Sequence, residues 1–128
     1  MDDIICLSAT ALAQAIRSKD VTALDAVTAY LERIEAVNPT INAVVQLAAD
    51  RALDEARAAD AALARGDVKG LLHGVPMTLK DSIDTAGIVT TAGTTGRRDF
   101  IPEKDATVTA RLRQAGAILL GKTNTPEL

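Results

Sequence analysis

Hydrophobic and polar positions follow two different patterns along the chain, and the change comes near residue 70. Before it, apolar residues recur every three or four positions, which is typical of amphipathic helices. We predict one helix from Ser8, its N-cap, to about Ser18, and a second that stops at Asn38-Pro39, because the residue before proline disfavours helical geometry. A third, alanine-rich helix is expected over about 41–65, with the glycine that follows as its left-handed cap.

Beyond residue 70 the helical period gives way to short β-like runs. The segments GVPMTLK and GIVTTAG are strand candidates, and AILLGKTN is expected to be a short buried strand. Between them, EKDATVTARLRQAG predicts a helix with Val108, Leu112 and Ala115 turned inward and Gly116 at its end. This order predicts an α/β fold: N-terminal helices, then the first strands of a mixed, largely parallel sheet covered by helices.

We expect residues 1–128 to form a single unit, with a helical lead-in over about 1–70 and a strand-helix-strand part over about 71–128. The length allows one hydrophobic core. Hydrophobic residues make up 48% of the chain but aromatic residues only 2%, so we expect helices that pack through small side chains. The uncovered sheet edge left after AILLGKTN predicts self-association.

Charge and composition exclude several classes of function. The net charge is −3 and the cationic residues are scattered, so we predict no nucleic-acid partner. No apolar run approaches the ~20 residues of a membrane span, and the N-terminus lacks the positive charge of a secretory signal, so a soluble, cytoplasmic protein is expected. Cys6 is the only cysteine and His73 the only histidine, which excludes a disulfide within the chain and predicts no metal site and no cofactor.

The strongest candidate for chemistry is Lys80, which ends the apolar run GVPMTLK. In α/β sheets, ligands collect beyond the carboxyl ends of the strands. A lysine held there against apolar neighbours can lose its proton more easily and serve as a base. The residues alone leave two interpretations open, a base or an ordinary solvated lysine.

Other candidates are weaker. The segment TTAGTTG offers hydroxyls and glycines that let backbone approach a ligand, but neither it nor GKT at 121–123 matches a phosphate loop. We expect His73 to be a turn residue at the wrong end of the strand for a site. Ser82 is two residues past Lys80, and a role in a turn is expected for it.

Two long stretches resemble the N-terminal part of the amidase signature enzymes. They are LLHGVPMTLKDSIDTAGIVTTAGTTGRRDF and DATVTARLRQAGAILLGKTNTPEL, and the helical segment YLERIEAVNPTINAVVQLAADRALDEARAADAALARGDVKGLLHGVP is similar to the lead-in of those proteins. The resemblance implies hydrolysis of an amide by a Ser-cisSer-Lys triad, with Lys80 as the triad lysine. It also implies a small-molecule amide as substrate and a glycine-rich oxyanion loop.

The same resemblance implies that both triad serines lie downstream of Leu128. We therefore expect the chain to be the N-terminal portion of such a hydrolase and to be inactive when isolated. Two alternatives stay open. One is a non-catalytic module that associates through an open sheet edge, and the other is an amidotransferase component that works on charged tRNA.

Overall fold

The computed structural model describes residues 2–128, in which five helices and three strands occur. Their bounds, in chain order, are α1 (Asp2–Ile5), α2 (Ala9–Arg17), α3 (Ala23–Ile41), β1 (Val44–Leu47), α4 (Ala49–Ala64), β2 (Pro76–Lys80), α5 (Thr107–Gln114) and β3 (Ile118–Thr123). A single 3-10 turn covers Thr95–Arg97. The α/β fold with a mixed sheet, predicted from the sequence, is confirmed.

The end of α3 differs from the prediction. Ser8 does cap α2, and its hydroxyl accepts the N–H of Ala11 at 3.1 Å. However, α3 does not stop at Pro39 but continues to Ile41 with the proline inside it. Proline removes one donor, yet the helix goes on until Asn42 ends it in the left-handed conformation, with φ of 48°.

The third predicted helix begins too early, because residues 44–47 form a strand instead. This strand, β1, pairs antiparallel with β3, with Val44 opposite Thr123 and Leu47 opposite Gly121. At Gly121 a Cβ atom would lie only 2.3 Å from the carbonyl oxygen of Gln46, so the close approach of the two strands requires glycine. At the other end of α4, Gly66 has a positive φ of 77°, which confirms the predicted cap.

The sheet has the order β1-β3-β2, with β3 at its centre. The strands predicted in GVPMTLK and AILLGKTN are confirmed as β2 and β3, and they run parallel to each other. The strand expected in GIVTTAG is wrong, because residues 87–93 form a loop. Their backbone groups bond outside the sheet, as when Thr90 donates its N–H to Phe100 O at 2.9 Å.

The helix between β2 and β3 is shorter than predicted and buries a different residue. Val108, expected to point inward, is 47% exposed, whereas Thr109 is fully buried. The Thr109 hydroxyl donates to Asp84 O at 3.0 Å, which turns this residue toward the chain that follows β2. Gly116 follows the helix with φ of 99°, as its predicted role as a stop requires.

Two clusters of buried side chains form the core. One joins α3, α4 and β3 through four small or branched residues of the helices and Ile118 and Leu120 of the strand. The other joins α2 and α3 to Val75, just before β2. Residues 117–120 are all buried, so this segment of β3 and the residue before it belong to the core and not to the surface.

Candidate active site

Lys80 is the last residue of β2 and lies opposite Thr123, the last residue of β3. The carboxyl ends of these two parallel strands therefore lie side by side, at the end of the sheet where α/β proteins bind their ligands. Along β2, Thr78 and Lys80 are exposed while Leu79 between them is buried. Because side chains alternate along a strand, Lys80 extends from the exposed face.

The exposure of Lys80 bears on the two interpretations that the sequence left open. A base would need apolar neighbours that partly bury its amine, but within residues 2–128 the side chain is exposed. The reason is that Lys80 lies on the face of β2 that also exposes Thr78, and pairing with β3 in the plane of the sheet does not cover that face. Residues 2–128 do not supply the partial burial that a lysine base needs.

The chain turns sharply after Lys80. The N–H of Ile83 donates to Lys80 O at 2.9 Å and closes a turn that contains Asp81 and Ser82. Ser82 is exposed and lies within this turn, as predicted. We call residues 80–83 the Lys80 turn. The N–H of Asp81 donates to Thr123 O at 2.8 Å, which ties the turn to the end of β3.

Asp81 is buried, with only 2% of its surface exposed. Its carboxylate accepts two hydrogen bonds from Thr91, one from the backbone N–H at 3.2 Å and one from the hydroxyl. Its carbonyl accepts the N–H of Ala92 at 2.9 Å. These bonds bring the start of the loop 81–92 back to its end, so the loop closes directly beside Lys80.

Lys122 is a second lysine near the site, and sequence reasoning missed it. It is fully buried, and its Nζ donates to Ile83 O at 2.5 Å and to the Thr90 hydroxyl at 2.9 Å. Burial lowers the pKa of Lys122, while the carboxylates of Asp81 and Asp84 act in the opposite direction. The available signal was its place in β3, where it follows the continuous buried run of Ile118, Leu119 and Leu120.

A cavity of about 230 Å³ opens beside the ends of β2 and β3. Its lining includes Asp81, Thr91, Gly93 and Asn124. Gly93 has φ of 73°, and a Cβ atom there would lie 2.6 Å from Pro126 O, so the glycine lets the TTAGTTG loop pack against the chain beyond β3. Lys80 does not line this cavity.

The remaining candidates lie elsewhere. His73 is buried before β2, where Nδ1 accepts the Lys69 N–H at 3.0 Å and Nε2 lies 2.8 Å from Ala59 O. This confirms a turn residue far from the strand end, with a structural role. Cys6 is exposed. No group of three or more His, Cys, Asp or Glu residues that could hold a metal ion occurs within residues 2–128.

Fold and site define an α/β protein with a lysine at the carboxyl edge of its sheet, and comparisons with known proteins specify the family. The family profile named Amidase matches residues 25–128. The chain is 47% identical over 120 residues to an indoleacetamide hydrolase of Bradyrhizobium diazoefficiens, covering 94% of this chain and 23% of that protein. It is 43% identical over 125 residues to a glutamyl-tRNA(Gln) amidotransferase subunit from Moorella thermoacetica, covering 98% and 26%.

A solved structure supports the same family assignment. The fold superposes on native peptide amidase from Stenotrophomonas maltophilia with a TM-score of 0.89 at 38% identity, covering 95% of this chain and 25% of that one. The chain therefore belongs to the amidase signature family, and it spans about a quarter of the length of these relatives. None of the helices within residues 2–128 combines the length and the apolar character needed to cross a bilayer.

Proposed function

We propose that this chain forms the N-terminal part of an enzyme that hydrolyses the C–N bond of a carboxylic amide, with Lys80 as the base of a Ser-cisSer-Lys triad. The observation that carries the proposal is the position of Lys80. It ends β2 at the edge of the sheet where ligands bind, inside the region that matches the amidase family.

The chemistry requires a neutral lysine. Its amine takes a proton from the bridging serine, which in turn takes the proton of the nucleophilic serine. The nucleophile attacks the carbonyl carbon, the C–N bond breaks, and the leaving amine departs with a proton. Water then hydrolyses the acyl-serine ester, and backbone N–H groups stabilise the oxyanion in both steps.

The exposure of Lys80 fits an incomplete site. A lysine base works best when protein surrounds its amine and excludes water, since burial favours the neutral form. In our proposal the remaining part of the enzyme covers the exposed face of β2 and brings both serines to Lys80. The serines of residues 1–128 do not fit these roles, because Ser8 and Ser18 flank α2 and Ser82 lies in the Lys80 turn.

The first test uses the isolated chain. We expect residues 1–128 to release no ammonia or arylamine from small aliphatic or aryl amides, because the nucleophile and the oxyanion loop are missing. The matched variant is Ser82→Ala. Turnover that disappears in this variant would contradict the proposal, since it would reveal a catalytic pair of Ser82 and Lys80.

The second test supplies the missing part. This chain would replace the corresponding N-terminal quarter of the Stenotrophomonas maltophilia peptide amidase, whose fold it matches. In the active chimaera, Lys80→Ala should lower turnover by at least ~10²-fold, the smaller effect of removing a general base. Lys104 is exposed and lies far along the chain from β2, so Lys104→Ala is the control and should keep its activity. Full activity of Lys80→Ala would refute the role of Lys80.

A second candidate function is that of an amidotransferase component, which uses the same acyl-transfer chemistry to release ammonia for a charged tRNA. The 43% identity to the Moorella thermoacetica protein, over 98% of this chain, supports it. The assay is ammonia release from glutamine by a chimaera in which this chain replaces the matching part of the Moorella thermoacetica protein. Stimulation by charged tRNA and partner subunits would favour this function, whereas hydrolysis of simple amides without them would favour the amidase.

A further inference from the structure

The buried Lys122 has no part in the proposed reaction, and its contacts indicate a different role. Lys122 is fully buried, which is rare for a lysine, because burial removes the hydration of the amine and hydrogen-bond partners in the protein must replace it. Here Nζ donates one hydrogen bond to Ile83 O at 2.5 Å and one to the Thr90 hydroxyl at 2.9 Å. Both acceptors belong to the loop 81–92, so Lys122 joins the centre of the sheet to that loop.

Two adjacent threonines of this loop form hydrogen bonds with charged side chains, Thr90 with Lys122 and Thr91 with Asp81. The Thr90 hydroxyl donates to Ile88 O at 3.1 Å and can therefore accept from Lys122. The Thr91 hydroxyl donates to the carboxylate of Asp81 and accepts the N–H of Gly93 at 3.0 Å. We call Thr90 and Thr91 the threonine pair. It connects a cation of β3 to an anion that follows β2.

The same network reaches the backbone of Lys80. Ile83 accepts from Lys122 through its carbonyl and donates its own N–H to Lys80 O at 2.9 Å. Asp81, held by Thr91, is the next residue after Lys80. Two residues of the Lys80 turn are thus linked to the threonine pair. Asp81 bonds directly to Thr91, and Ile83 is linked to Thr90 through Lys122.

We propose that Lys122 is a positioning residue: together with Asp81 and the threonine pair, it holds the Lys80 turn and so determines where the Lys80 amine stands. Lys122 acts through the backbone of the turn and does not touch the amide substrate. The proposal rests on the proposed function for its catalytic meaning, but the mechanical link from Lys122 to the turn is tested without catalysis.

The competing explanation is that Lys122 only fills space in the core. In that case a residue of similar length without a donor would serve equally well, and no particular part of the loop would respond. The positioning role predicts a local response, at the hydrogen bond from Ile83 N–H to Lys80 O and at the one from Ala92 N–H to Asp81 O.

The test is amide hydrogen exchange of the 128-residue chain, resolved by residue. Lys122→Met keeps the apolar stem of the side chain and removes the donor, and Thr90→Val replaces the hydroxyl with a methyl group. Both should speed exchange at Ile83 by about tenfold or more, whereas Ala48, which donates to Leu120 O at 2.8 Å beside β1, should change little. Lys104→Met applies the same substitution at an exposed lysine and should change neither amide.

Rescue separates positioning from simple filling. Thr90→Ser restores the hydroxyl with a smaller side chain, and we expect it to return exchange at Ile83 to near the rate of the unchanged chain. If Lys122→Met fails to fold, the milder Thr90→Val and Thr90→Ser still decide the question. Unchanged exchange at Ile83 in Thr90→Val, or equal acceleration at Ala48, overturns the proposal.

The chimaera then relates the link to activity. Thr90→Val should lower kcat by more than it raises KM, because the base is displaced while the substrate pocket is retained. If Lys80→Ala leaves turnover intact, the proposed function fails while the exchange result stands. If Lys80→Ala abolishes turnover and Thr90→Val leaves kcat unchanged, the positioning role fails while the proposed function stands.

Discussion

Replacing Lys122 by methionine should lower the free energy of unfolding of the chain, and the loss should grow as the pH rises. Lys122 is buried in the sheet and its Nζ donates to Ile83 O and to the Thr90 hydroxyl. Methionine preserves the apolar stem and removes the amine, so packing is largely kept. The change therefore isolates the two hydrogen bonds and the charge.

The expected loss at neutral pH follows from those bonds. In Lys122→Met the carbonyl of Ile83 loses its donor, and an unsatisfied polar group of this kind costs about 1–3 kcal/mol. Thr90 keeps its bond to Ile88 O and loses less. The free energy of unfolding should therefore fall by about 1–3 kcal/mol, which is partly offset because the amine is no longer buried.

The sign of the pH dependence is fixed by the lowered pKa of Lys122. In the pH range between the folded pKa and the unfolded value of about 10.4, the unfolded chain binds more protons than the folded one. The free energy of unfolding of the unchanged chain then rises with pH across this range. Lys122→Met lacks that contribution, so the difference in stability between the two proteins should grow as the solution becomes more alkaline.

The assay is urea denaturation followed by far-UV circular dichroism, since the chain contains no tryptophan. Measured from about pH 7 to 10, the difference between the two proteins should increase by up to about 1.4 kcal/mol for each unit by which the pKa is lowered. Other groups that titrate in this range occur in both proteins and cancel. A difference that stays constant or shrinks with rising pH would refute the reasoning.

Other parts of the molecule lead to three further predictions. In the chimaera, Lys80→Arg should lose nearly as much turnover as Lys80→Ala, because a guanidinium group does not release its proton at a working pH; a folded Lys80→Arg enzyme that stays active would show that a fixed charge suffices. Asp60 accepts the N–H of Ala23 at 2.7 Å at the start of α3, so Asp60→Ala should lower the free energy of unfolding by about 1–2 kcal/mol, measured in urea. Asp54→Ala, at an exposed ion pair, should cost less than about 0.5 kcal/mol, and equal losses would contradict the capping role. The isolated chain should self-associate through its unpaired strand edges, as seen by sedimentation, and a monomer that binds no hydrophobic dye at high concentration would argue against this.

The elements that the sequence predicted well are those with a clear local signal at their start. β3 is an apolar run that begins after Gly116, and α2 begins at a serine that caps it. β1 could not be predicted in this way. Its residues lead directly into an alanine-rich stretch that is typical of a helix, and they form a strand because β3, far along the chain, pairs with them.

The site was predictable in part for the same reason. An apolar run that ends in lysine was enough to place Lys80 at the end of a strand. The exposure of Lys80 depends on what packs over its face of β2, which no local pattern contains. The segment around the threonine pair was predicted as a strand because β-branched residues favour one. Instead, Thr91 donates to Asp81 and Thr90 accepts from Lys122, and these hydrogen bonds hold a loop.

The central position of β3 also sets an order of events during synthesis. Both β1 and β2 bond to β3 and to no other strand of the described sheet, and Val44 is about 80 residues from its partner Thr123. As the nascent chain leaves the ribosome, α3 and α4 can pack against each other early, while β1 and β2 remain unpaired. The sheet forms only after residue 123 emerges, so the earlier strands are exposed to aggregation during that interval and depend on the helices, or on chaperones, for protection.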